Sequence, residues 1–156
     1  MNPTLRAIVA VAATALALVA LPAAAGHHDP KFFAPPTVGD MKLPFSEAVQ
    51  VGPFLFLSGQ IGNKPGTAEL VPGGIQAETR ATLEKIKATV ENHGSSMDRV
   101  AKCTVFLADM SEWAAMNEVY VQFFPNNRPA RSAIASSGLA LAARVEIECI
   151  AVVGEM

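Results

Sequence analysis

Two short runs, "FLFLSGQIG" from Phe54 and "VAKCTVFLA" from Val100, carry apolar residues at odd and even positions alike. Successive side chains of a strand point to opposite faces. Phe54, Phe56, Ser58 and Gln60 therefore share one face of the first run, and Leu55, Leu57, Gly59 and Ile61 share the other. A strand that is apolar on both faces has to be covered on both. That excludes a sheet with one face left in water, and the rest of the chain must supply the cover.

Helices can cover one face. From Ile75 the apolar spacing becomes helical: Ile75, Thr79, Leu83, Ile86 and Val90 fall on one stripe, with Glu78, Arg80, Glu84, Lys85, Lys87 and Glu91 mostly outside it. Gly94 supplies the stop. Ser111 can N-cap a second helix carrying Trp113, Met116, Tyr120 and Phe123 or Phe124, which Pro125 ends. Strands surround these helices. "SEAVQVG" and "FLFLSGQIG" read as a hairpin turning at Gly52-Pro53, and residues 69–71 allow a short strand. Further strands fall at 99–108 and at about 130–136 and 144–153. The order β-β-(β)-α-β-α-β-β predicts an α+β domain, a mixed sheet of five to six strands with both helices on one face. The simplest cover for the second face is a symmetric copy of the same chain.

The first residues read differently. Residues 1–25 of the 156 have a basic start at Arg6, an apolar run from Ala7 to Leu21 and small residues at Ala23 to Ala25. This is the layout of a secretory signal peptide cleaved after Ala25, and it predicts an exported, periplasmic or secreted protein with no membrane attachment after cleavage. Residues 26–43, punctuated by Pro and Gly, read as an extended leader, and 44–156 as the domain. Cleavage removes only Arg6 among the charges, so the net charge of −2 becomes −3. No run of more than two basic residues occurs, which speaks against nucleic acid as a partner. Cys103 and Cys149 both lie in apolar strand-like runs. They read as free core cysteines rather than as a bridge, which would need adjacent strands in register.

Three sets of residues could carry chemistry. A nucleophile triad is disfavoured, because His93 is the one histidine outside the leader and sits at a helix end, where it suits the helix dipole. No metal-ligand spacing occurs in the domain. Cleavage after Ala25 would, however, leave Gly26-His27-His28 as a free terminus whose nitrogens suit square-planar copper(II) or nickel(II), although a plain polar leader is the simpler reading. The third set is Arg131 and Glu146, two opposite charges in otherwise apolar strands. They fit an ion pair between neighbouring strands, or a site in which Arg131 grips a carboxylate and Glu146 handles water or a proton.

The motifs "PARSAI", Gly138-Leu139 and "VEIE", with "SGQI" at Ser58 to Ile61, "ETRATLEKIKATVENHGSSMDRVAKCTVFLADM" and "MNEVYVQFF", resemble the RidA/YjgF reactive-intermediate deaminases over about residues 43–153. The resemblance implies a chorismate-mutase-like α+β fold, a homotrimer and sites in clefts between subunits. It implies hydrolysis of 2-imino or enamine acids to 2-oxo acids and ammonia with no cofactor, as in a 2-iminobutanoate/2-iminopropanoate deaminase. By position, Arg131 would hold the substrate carboxylate and Glu146 would position the attacking water. Backbone groups at Gly59 and Ala133 would contact substrate, and Ser58 and Asn117 fall on site positions. The chain departs from the family pattern at "KLPFSEA": Phe45 stands in the usual Tyr position, keeping an aromatic wall without the hydroxyl, and Glu47 replaces Gln. Rival readings are a non-catalytic small-carboxylate binding module, a holdase-like exported trimer and a ribonuclease, the last opposed by the acidic charge.

Overall fold

A computed structural model describes residues 28–154. The signal-peptide segment and Gly26-His27 of the candidate copper terminus lie outside the described residues. The strands are β1 (Lys31–Phe33), β2 (Ala48–Val51), β3 (Phe54–Leu57), β4 (Gln60–Ile61), β5 (Val100–Leu107), β6 (Ala130–Ala135) and β7 (Val145–Val152). The helices are α1 (Gly74–Asn92) and α2 (Trp113–Phe123). One sheet runs in the order β1-β2-β3-β7-β5-β6, and β4 also pairs with β7. Among the described residues only β5 and β6 are parallel; α2 is their crossover. Seven strands exceed the five or six expected because β1 forms within the stretch read as leader and β4 follows β3 as a separate piece. The strand expected at 69–71 is reduced to a bridge between Asn63 and Leu70.

The stripe Ile75, Thr79, Leu83, Ile86 and Val90 of α1 is buried throughout, as its spacing requires. With Met116 and Phe124 it packs against the sheet face formed by Leu55, Val105, Ile147 and Ala151. Glu78, expected outside the stripe, is buried instead, and its carboxylate accepts the Arg144 backbone N–H at 2.8 Å. A backbone donor replaces part of the hydration that a buried carboxylate gives up, so charge alone did not keep it out. Asp109 rather than Ser111 caps the turn before α2; its side chain accepts the Ser111 N–H at 2.8 Å.

Cys103 and Cys149 are not free. They are direct partners on β5 and β7, both point into the core, and they form a disulfide with Cα atoms 4.1 Å apart. Adjacency and register, the two conditions a bridge needs, are both met.

The opposite sheet face is left open. Phe54, Phe56 and Ile134 there are 42–49% exposed. Covering what remains exposed of each is worth on the order of 1 kcal/mol, so the apolar face demanded by the sequence is present and, among the described residues, unpartnered.

Candidate functional site

Residues paired across a sheet point the same way, so register decides which face each candidate occupies. Arg131 on the edge strand β6 is the partner of Cys103, which faces the helices. Glu146 on β7 is the partner of Phe106 and of Ile61, on the open side. The two charges therefore lie on opposite faces, two strands and three residues apart, on the order of 14 Å from strand geometry. An ion pair between neighbouring strands is excluded within one chain.

Arg131 projects toward one stripe of α2. Its Nη1 donates to Asn117 Oδ1 at 2.6 Å, and its Cζ lies 4.6 Å from the Tyr120 ring centroid and 5.9 Å from that of Trp113. No Asp or Glu oxygen among the described residues pairs with it. Burial pushes the Tyr120 phenol up to about 12, with the Arg131 charge only partly opposing this. Tyr120 therefore stays neutral beside the cation. Ala133, two residues along β6, shares the face of Arg131 and packs against the core. Arg131, Asn117 and Ala133 are thus brought together.

Glu146 gathers a second group. A methyl group on Gly59 would lie 2.0 Å from Glu146 Oε1, so only glycine lets the strand pass this close to the carboxylate. Ser58 Oγ donates to the Ser46 carbonyl at 2.7 Å, and Ser58 N–H donates to the Glu47 carbonyl, which ties the approach to Gly59 to the segment bearing Phe45. Phe45 is half-exposed. Glu47 turns away toward α1, accepting from Thr89 Oγ1 at 3.0 Å and meeting His93 Nε2 at 3.2 Å. His93, read as a dipole-complementing residue, also stacks on Phe33 of β1 at 3.9 Å. Burial, then the Glu148 charge, raises the Glu146 carboxyl above its ordinary 4.5.

The structure thus brings Arg131, Asn117 and Ala133 together, and separately sets Gly59 against Glu146, with Ser58 next to Gly59 and hydrogen-bonded to the segment that carries Phe45. Sequence reasoning placed Trp113 and Tyr120 in the core stripe of α2 and missed their contact with Arg131. The readable signal was their spacing: positions 113, 117 and 120 fall along one side of a helix.

The family model described as Endoribonuclease L-PSP matches residues 40–153. This chain belongs to that family. A RutC family protein of Pyrococcus horikoshii is 46% identical over 118 residues, 76% of this chain and 90% of the relative. The mouse 2-iminobutanoate/2-iminopropanoate deaminase is 40% identical over 121 residues, 78% and 87% of the two chains. The crystal structure of E. coli TdcF with bound serine superposes with a TM-score of 0.71 at 35% identity, covering 80% of this chain and 99% of the other. The RidA/YjgF fold expected from the motifs is the fold of this family member. The family includes deaminases of 2-imino acids alongside relatives named only as RutC proteins.

The Gly59 contact gives a test within this family fold. Gly59→Ala is expected to leave the melting temperature within a few degrees, because the clashing atom is the far end of a flexible side chain. Displacing that carboxylate is expected to lower any turnover by roughly 10²-fold, the scale set by an ångström-size misplacement. Equal losses of stability and activity would contradict this reading.

Proposed function

We propose that the protein hydrolyses 2-imino and enamine acids to 2-oxo acids and ammonia, in clefts between the copies of a homotrimer. The observation that carries this reading is Arg131: a guanidinium held by Asn117, Trp113 and Tyr120, with no carboxylate among the described residues paired with it. A planar fork in that state is made for a carboxylate from elsewhere. Glu146 and Arg131 lie on opposite faces, so a site using both draws them from different copies. The open face with Phe54 and Phe56 supplies the apolar surface that holds copies together. The 40% identical mouse deaminase and the serine-bound TdcF structure support a small amino-acid-derived ligand.

In this mechanism Arg131 binds the substrate carboxylate, while backbone groups at Gly59 and Ala133, with Ser58 and the Phe45 ring, line the pocket. Glu146 accepts a proton from water as its oxygen bonds to C2 of the imine. The proton passes to nitrogen, the C2–N bond breaks as the new C2 hydroxyl gives its proton to Glu146 and becomes the 2-oxo group, and ammonia leaves. The iminium carbon is already electrophilic, so positioning and charge placement supply what remains and no cofactor takes part.

The same proposal includes export: the signal-like layout of residues 1–25 supports it, and the Cys103–Cys149 bridge fits an oxidising compartment. Expression with an intact export system is expected to yield a chain shortened by its first 25 residues; a full-length mass would refute export by this route.

Purified mature protein is expected to accelerate hydrolysis of 2-iminobutanoate or 2-iminopropanoate. Because Glu146 must be ionised to accept a proton, and burial raises its pKa, the acid limb of kcat/KM should have its midpoint above 4.5. Glu146→Gln should remove that limb along with most of the rate. The stability sign is opposite. The folded chain holds this proton more tightly than the unfolded one, so stability falls as pH rises from the unfolded value through the raised folded one, and Glu146→Gln abolishes that fall. A second reading, a carboxylate-binding module without turnover, is favoured by Phe45, which lacks a hydroxyl. Binding of 2-oxobutanoate through Arg131 with no acceleration of imine hydrolysis would establish it in place of the enzyme.

A further inference from the structure

The surroundings of Arg131 contain one aromatic residue that neither the core nor the proposed reaction explains. Trp113 opens α2 with 44% of its surface exposed, an unusual place for the largest apolar side chain. It is the single tryptophan of the chain. Trp113, Asn117 and Tyr120 lie at i, i+4 and i+7, a spacing that sets them in one row spanning about two helical turns. Two turns rise about 10.8 Å, and the guanidinium contacts a ring at each end of that row. Its Cζ is 4.6 Å from the Tyr120 centroid and 5.9 Å from the Trp113 centroid, while Nη1 is bound to Asn117 Oδ1 in the middle. Both ring distances fall within the roughly 6 Å over which a ring face attracts a cation. Tyr120 is buried, so it forms the floor. Trp113 is half in solvent, so it stands at the open edge where a ligand carboxylate reaches the fork.

We infer that Trp113 is a positioning residue of the carboxylate site, holding the Arg131 guanidinium against Asn117 and Tyr120 so that its free donors face the incoming ligand. The inference rests on the carboxylate-binding reading of Arg131, and requires no turnover. A ring that only packs would contribute to stability and leave ligand affinity alone. A ring that orients the cation contributes to affinity, and phenylalanine, which keeps a π face, should replace it where leucine cannot.

The experiment is a titration of the full mature protein with 2-oxobutanoate, followed by Trp113 emission and by calorimetry. Wild type is expected to show a saturable emission change that Arg131→Ala eliminates. Trp113→Leu, read by calorimetry, is expected to weaken binding about 3- to 10-fold, the range for a partly exposed cation–π contact. Trp113→Phe should recover most of that loss. In a turnover assay Trp113→Leu should raise KM by a similar factor with kcat within about twofold. Unchanged affinity in a folded Trp113→Leu variant would overturn this inference alone. An emission change that persists in Arg131→Ala would place the ligand elsewhere and overturn the Arg131 reading together with this inference. Failure of wild type to bind any 2-oxo acid would overturn the Arg131 reading and this inference together.

Discussion

Arg131→Ala is expected to cut kcat/KM for 2-imino acids on the order of 10²- to 10³-fold, the loss that follows removal of one partner from a desolvated charge pair. The structure explains why the effect should be this large and confined to function. Arg131 makes one side-chain hydrogen bond among the described residues, to Asn117, and no ion pair, so few folding contacts depend on it. Its melting temperature should shift by only a few degrees. Arg131→Lys is the sharper variant. Lysine keeps the charge and loses the planar fork that can bind Asn117 and a carboxylate at once. It should remain well below wild type, with most of the deficit in KM if the carboxylate is bound equally in ground and transition states. Rates within about threefold of wild type in both variants would remove Arg131 from the site.

The second large effect concerns stability. The Cys103–Cys149 bridge closes a segment with a sequence separation of 46 residues. In the chain-entropy description a loop of this length contributes about 4 kcal/mol by restricting the unfolded chain. Cys103→Ala with Cys149→Ala is expected to lose most of this, which for a domain of this size lowers the melting temperature by roughly 10–15 °C. The bridge is buried between β5 and β7, so reductant should act only on the opened chain, and the loss should appear slowly without denaturant. The check is thiol counting in denaturant before and after reduction. Two titratable thiols before reduction would show that the purified protein does not carry the bridge.

The legible and illegible parts of this fold differ in range. The α1 stripe was readable because its period is local, and all five of its members are buried. The two-sided apolar strands were readable for the same reason as far as Leu57; beyond it the register shifts by one residue, so Gln60 pairs with Ile147 and Ile61 with Glu146, the reverse of the faces that unbroken alternation assigns them. Glu78 was misjudged because the group that satisfies it, the Arg144 N–H, is 66 positions away. The cysteines were misjudged because pairing depends on the β5–β7 register, which no local pattern states. Strand β1 was hidden between prolines, three residues too few for a period to appear. At the site, the motifs singled out Arg131 and Glu146 but not their disposition. That they face opposite sides of the sheet follows only from pairing each with its partner on β5, and it changes the question from a pair within one chain to a site shared between chains.

The strand order carries one consequence for how the chain comes to be folded. Strand β7, the last in sequence, lies at the centre, joining β3 and β4 on one side to β5 on the other. The β2–β3 hairpin and the β5–α2–β6 unit have no sheet contact with each other except through it. Closing such long separations is slow, and here both closures need β7. A chain ending before Val145 is expected to show no cooperative melting transition in circular dichroism, whereas a preformed half-sheet would melt on its own. Until β7 docks, the chain therefore holds two sheet fragments that no strand joins, and the docking of that one strand makes them a single cooperative sheet.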